Sequence, residues 1–83
     1  MKVTVKLLGK LRSHLPAGSG FGETTLEVGA GTTTARVLQT LRLPGDETYL
    51  IMVNDERIAA AELGSRVLDE GDTVTIAPPI KGG

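Results

Sequence analysis

The 83-residue chain reads as one α+β domain, and three observations lead to that class. Lys2 to Leu7 and Thr73 to Ala77 alternate polar and apolar residues with the period of two that half-buried strands show. Val37, Leu38 and Leu41 recur at helical spacing. Glycine, proline and acidic clusters fall between these periodic segments and punctuate them. The predicted order is β-β-α-β-(β)-β, with one helix covering one face of a sheet of four to five strands.

Each element has a local cause. Val3, Val5 and Leu7 share one face of the first strand, and Glu23 to Val28 forms a second with Thr24, Leu26 and Val28 on a common face. Between them, Gly9, Pro16, Gly18, Gly20 and Gly22 predict a long flexible connection. Gly29-Ala30-Gly31 turns the chain, Thr32 or Thr33 caps a helix, and the helix runs to about Arg42 before Leu43-Pro44-Gly45 stops it. Tyr49 to Val53 is a continuous apolar run, as expected of a strand covered in part on both faces. Asn54-Asp55 turns into a short strand near Arg57 to Ala59, and Ala60 to Leu63 makes one helical turn closed by Gly64. Asp69-Glu70-Gly71-Asp72 then turns into the last strand, with Val74 and Ile76 inward. The domain is expected over 1–77, followed by a flexible tail over 78–83.

Composition narrows the chemistry. No apolar run approaches the roughly 20 residues that span a bilayer. The first ten residues alternate, unlike a signal peptide, so the expected compartment is the cytoplasm. With no cysteine and only His14, thiol catalysis and a thiolate or imidazole metal centre are excluded, and no metal is expected. The net charge of −1 conceals a polar division. Lys2, Lys6, Lys10 and Arg12 face no acid within the first 22 residues, whereas residues 46–72 carry Asp46, Glu47, Asp55, Glu56, Glu62, Asp69, Glu70 and Asp72 against Arg57 and Arg66. That division suits docking on a complementary protein surface. With Phe21 and Tyr49 the only aromatic residues, a base-stacking platform for nucleic acid is not expected.

Most conventional motifs reduce to local structure. Ser13 and His14 are neighbours in a Gly/Pro loop with no third group to orient them. Asp55/Glu56 and Asp69/Glu70 lie in predicted turns, where acids are ordinarily solvated. Gly29-Ala30-Gly31 follows a strand and precedes a helix, but Thr34 stands where a dinucleotide fingerprint has its third glycine. The ending Ala77-Pro78-Pro79-Ile80-Lys81-Gly82-Gly83 is different. Two prolines end the ladder and stiffen an extended exit. Six extended residues reach roughly 20 Å. Gly82 and Gly83 have no Cβ and fit a channel too narrow for other residues. A glycine α-carboxylate is an anion at neutral pH and a poor electrophile. Conversion to an acyl-adenylate supplies the leaving group it lacks.

The chain resembles the β-grasp sulfur carriers related to ubiquitin, the MoaD/ThiS group, along nearly its whole length. Val3-Thr4-Val5-Lys6-Leu7-Leu8-Gly9-Lys10-Leu11-Arg12 is similar to the first strand and Gly-x-Leu-Arg turn of molybdopterin synthase small subunits. Val53-Asn54, then Leu68-x-x-Gly71-Asp72-x-Val74, resembles the third strand and the turn into the last. Pro78-Pro79-Ile80-Lys81-Gly82-Gly83 resembles the Pro-Pro-x-x-Gly-Gly tail of the molybdopterin branch. Leu8 stands where many members of that branch carry phenylalanine, and Asp55-Glu56 where a glycine is common.

The resemblance implies a mixed β-grasp sheet whose last strand lies near the centre, parallel to the first. It implies that a ubiquitin-activating-like adenylyltransferase of the MoeB/ThiF type adenylates Gly83 with ATP, after which a sulfur donor makes a thiocarboxylate. Gly82 would permit threading, Pro79 and Ile80 would lie in the partner's channel entrance, and Lys81 would offer a charge contact. The sulfur acceptor in the molybdopterin (or related tungsten) branch is the large synthase subunit; sister branches serve thiamine thiazole, cysteine, tRNA or specialised metallo-cofactor pathways. The chain would bind no permanent cofactor and would not act as an enzyme alone. Two other readings stand beside this one: a modifier joined to lysines through Gly83, and a β-grasp interaction module whose Gly-Gly is incidental. Leu8, Leu50, Met52 and Ile80 are candidates for an exposed apolar patch.

Overall fold

In the computed structural model, residues 1–15, 22–43 and 49–78 are described. Alternation in the first segment produces β1 (Lys2–Leu7), with Val3, Val5 and Leu7 buried and Lys2 and Lys6 exposed. β2 (Glu23–Glu27) pairs with it antiparallel, and its Thr24 and Leu26 are half-buried between exposed Glu23, Thr25 and Glu27. β3 (Leu50–Val53), β4 (Glu56–Ile58) and β5 (Thr73–Ala77) complete a mixed five-stranded sheet in the order β2-β1-β5-β3-β4. β5 runs parallel to β1 and antiparallel to β3, so the last strand lies at the centre beside the first.

Helix α1 (Thr34–Thr40) is capped by Thr33, whose hydroxyl oxygen accepts the Arg36 N–H at 3.3 Å. The Thr34 and Ala35 N–H groups donate to the carbonyls of Arg66 and Leu63, at 3.0 and 2.9 Å. The chain before β5 thus ties down the helix start, and a bridge between Thr33 and Val67 extends the tie. Val37 and Leu41 join the inward valines, leucines and isoleucines of β1, β3, β4 and β5 in one core. Full burial of each such side chain stabilises by about 1.5–3 kcal/mol. Two further members, Leu11 and Leu68, come from connecting segments.

Several details differ from the sequence reading. The start of the Gly/Pro-rich connection is a 3-10 helix, Gly9–His14, rather than a flexible loop, because Leu11 turns back into the core at 2% exposure. Its N–H donates to the Leu8 carbonyl at 3.2 Å. Helix α1 ends before Arg42, which takes φ +56. β4 begins one residue early, since Asn54 at φ +56 allows a two-residue turn that puts Glu56 opposite Val53. The helical turn after it is 3-10, Ala60–Glu62. Among the described residues, no helix is long and apolar enough to cross a membrane.

Candidate functional site

β5 delivers the chain to the C-terminal residues from the middle of the sheet. Its parallel register with β1 runs from Thr4 opposite Thr73 to Leu7 opposite Ile76. One further bond, from the Leu8 N–H to the Ile76 carbonyl at 3.0 Å, carries the ladder past the end of β1. β5 stops at Ala77, and the next residue, Pro78, has no N–H to continue the ladder.

Pro78 is half-buried against the turn that follows β1. Gly9 occupies that turn at φ +58, in the left-handed region where a side chain is strained. A Cβ on Gly9 would lie 3.2 Å from Cγ of Pro78 and 3.7 Å from its Cδ. Arg12 Nε–H donates to the Gly9 carbonyl at 3.3 Å, and buried Leu11 anchors the same 3-10 helix. Beside this point lies an open groove of about 430 Å³, lined by Lys6, Leu7, Leu8, Gly9, Arg12, Gly22 and Glu23.

The outward face of the sheet leads to the same place. Lys6 is opposite Glu23 and Thr75, Thr75 is opposite Met52, and Met52 is opposite Arg57, forming one row across all five strands. The next row pairs Leu50 with Ala77, and extended Leu8 continues it beyond β1 at 45% exposure. Leu50 and Met52 are half-buried. Three of the four expected patch residues therefore gather where the chain leaves β5. The fourth, Ile80, lies outside the described residues, as do Pro79, Lys81, Gly82 and Gly83.

The other motifs stay local. Ser13 Oγ–H donates to the Lys10 carbonyl at 3.2 Å, and Thr32 Oγ1–H donates to the Gly29 carbonyl at 2.6 Å. The Glu70 carboxylate accepts the Lys2 N–H at 2.9 Å, and Glu56 pairs with Arg66. Asp72 accepts from Asn54 Nδ2 at 3.1 Å and from the Asp69 N–H at 2.8 Å. Glu70 thus ties its turn to β1, Glu56 ties β4 to the segment before β5, and Asp72 closes its own turn and joins it to the turn after β3. Among the described residues, no group of three histidine, aspartate or glutamate side chains is placed to hold a metal ion.

Gly9 is the residue that sequence reasoning undervalued: it entered only as a loop glycine and as part of a motif. Its signal was the Leu-Gly-x-Leu spacing at the end of a strand, which both ends the strand and buries the second leucine.

The fold is the ubiquitin-like β-grasp shared with several solved structures. Small archaeal modifier protein 1 from Haloferax volcanii has a TM-score of 0.74 and 23% identity, with 100% of each chain covered. The protein of the same name from Methanosarcina acetivorans has a TM-score of 0.70 and 26% identity, over 99% of this chain and 96% of that one. A chain in the complex of subunits 1 and 2 of the molybdopterin-converting factor from Helicobacter pylori has a TM-score of 0.62 and 21% identity, over 100% of both. No curated protein matches. The ThiS family model matches residues 5–83, from β1 through the Gly82-Gly83 ending, and the chain belongs to the ThiS family.

Proposed function

We propose that this protein is a sulfur carrier, acting with partner enzymes rather than as an enzyme by itself, and that Gly83 bears the reacting carbon. In the first step a Gly83 carboxylate oxygen attacks the α-phosphorus of ATP. A new P–O bond forms, the α–β phosphoanhydride bond breaks, and pyrophosphate leaves. Hydrosulfide from the sulfur donor then attacks the carbonyl carbon, forming a C–S bond, losing its proton and expelling AMP. The resulting thiocarboxylate sulfur attacks an electrophilic carbon of the acceptor, forming a C–S bond as an oxygen leaving group departs from that carbon. Water then cleaves the glycyl thioester, leaving the sulfur on the acceptor as a thiol and returning Gly83 to a carboxylate.

The observation that carries this reading is the placement of β5. A central strand that ends at Ala77 sets Pro78 beside exposed Leu8, at an apolar patch with cationic flanks, Lys6 and Arg57. A partner docking on that patch takes Pro79, Ile80 and Lys81 at its channel entrance and threads Gly82 and Gly83 inward, where any Cβ obstructs. Such a chain needs no cofactor of its own, because the adenylyltransferase of the MoeB/ThiF type uses the ATP. The Pro-Pro-x-x-Gly-Gly ending and the fold of the Helicobacter pylori complex favour molybdopterin synthesis as the destination, with the large synthase subunit as acceptor. These reactions belong to the cytoplasm.

A second reading is favoured by the likeness to the Methanosarcina acetivorans modifier protein. In this reading a lysine amine attacks the same acyl-adenylate carbonyl, forming an isopeptide bond, losing a proton and expelling AMP. ATP–pyrophosphate exchange with the adenylyltransferase tests what the two share: the full chain supports exchange and the chain lacking Gly83 does not. Equal exchange by both refutes the role of Gly83. Lysine-linked conjugates in place of a thiocarboxylate decide for the modifier.

A further inference from the structure

We infer that Gly9 is a positioning residue for the C-terminal chemistry: its missing side chain seats the Pro78 ring and so sets the direction in which the chain leaves β5. This inference rests on the reading of Gly83 as the reacting end. Three features converge on the contact. The last β1–β5 bond, Leu8 N–H to the Ile76 carbonyl, fixes Gly9 and Pro78 one and two residues further along adjacent parallel strands. Gly9 then turns at φ +58, and this turn brings its Cα face to the ring. The 3.2 Å separation from Cγ is tighter than ordinary contact for a methyl group, so a Cβ at position 9 requires its surroundings to give by a few tenths of an ångström. Buried Leu11 and the Arg12 bond to the Gly9 carbonyl hold the turn, which makes the ring the member that moves.

Strain and contact are separable here. An L-residue at φ +58 is strained whatever Pro78 does, but asparagine tolerates that region while still carrying a Cβ. Gly9→Asn therefore isolates the contact, and Gly9→Ala combines contact with strain. Pro78→Ala removes both ring carbons that a Cβ at position 9 meets, so each variant is paired with it in a double-mutant cycle.

A misplacement of about 1 Å can cost on the order of a hundredfold in rate, so a displacement of a few tenths of an ångström predicts a loss of about three- to fivefold. In ATP–pyrophosphate exchange, Gly9→Asn loses about that factor in kcat with KM nearly unchanged, because the docking face is intact. In the Pro78→Ala background it loses nothing further. Gly9→Ala lowers Tm by roughly 5–10 °C in both backgrounds, since backbone strain does not involve the ring. The inference is overturned if Gly9→Asn retains full exchange, or if it loses the same factor with and without Pro78. A structural arm is independent of activity: the intact protein shows nuclear Overhauser contacts from Gly9 Hα to the Pro78 ring. Gly9→Asn shifts the amide signals of residues 80–83 only while Pro78 is present. Should the intact chain fail to be adenylated, the proposed function falls, and these signals alone decide the positioning role. Missing Overhauser contacts overturn it in either case.

Discussion

Val74→Asp is expected to unfold the domain. Val74 has no exposed surface and lies in the central strand opposite Val5 of β1 and Val53 of β3, both equally buried. Losing the buried isopropyl group costs about 1.5–3 kcal/mol. A carboxyl without a partner costs about 2–7 kcal/mol in an apolar interior even when neutral. Total stability for a domain of this length is about 4–12 kcal/mol. The combined cost consumes most or all of it. Val74→Ala supplies the measurable counterpart: loss of two carbons and the residual cavity cost about 2–3 kcal/mol, lowering Tm by roughly 10–20 °C. Thermal and urea unfolding followed by circular dichroism reads both variants. A cooperative melt of Val74→Asp within a few degrees of the parent would refute the inward assignment of Val74 and the central place of β5.

Other sites give smaller, separable effects. Asn54 combines φ +56 with side-chain bonds to Asp72 and to the Thr73 N–H, so Asn54→Ala costs about 1–3 kcal/mol and Asn54→Gly less. Equal losses in urea titrations would remove the conformational contribution. Thr33→Ala removes the helix cap and costs about 1 kcal/mol, while Thr33→Ser stays close to the parent; a neutral alanine variant in thermal melts would refute the cap. Gly82→Ala and Gly83→Ala leave Tm unchanged and impair adenylation, because both lie beyond β5. A marked fall in Tm for either would count against a threading role.

Local chemistry made most elements legible. Alternation in β1 and β5 names the inward residues Val3, Val5, Leu7, Val74 and Ile76 directly, and Thr32 or Thr33 with Val37, Leu38 and Leu41 marks the helix, whose cap is Thr33. The parallel pairing of β1 with β5 has no local signature, because strands 65 or more residues apart meet only through the finished sheet; it entered through the family resemblance. The 3-10 helix was hidden because Gly9 and the glycines that follow read as loop, whereas the burial of Leu11 depends on the core being there to receive it. The early start of β4 turns on Asn54 adopting a left-handed conformation, which its residue type permits but does not require. Of the candidate site, sequence supplied the C-terminal residues and the patch candidates. The seat that Gly9 makes for Pro78 arises from two elements 69 residues apart and is visible only in the folded chain.

The most direct test of the central claim is intact mass after incubation with ATP, the adenylyltransferase and a sulfur donor, combined with a thiol-specific alkylating reagent. Replacement of one oxygen by sulfur nearly matches the mass of methionine oxidation at Met1 or Met52, so alkylation identifies the sulfur. The account predicts one alkylatable group on the full chain, localised to Gly83, and none on the chain lacking it. An unalkylated product from an enzyme that is active in pyrophosphate exchange, or a label retained after Gly83 is removed, would contradict it.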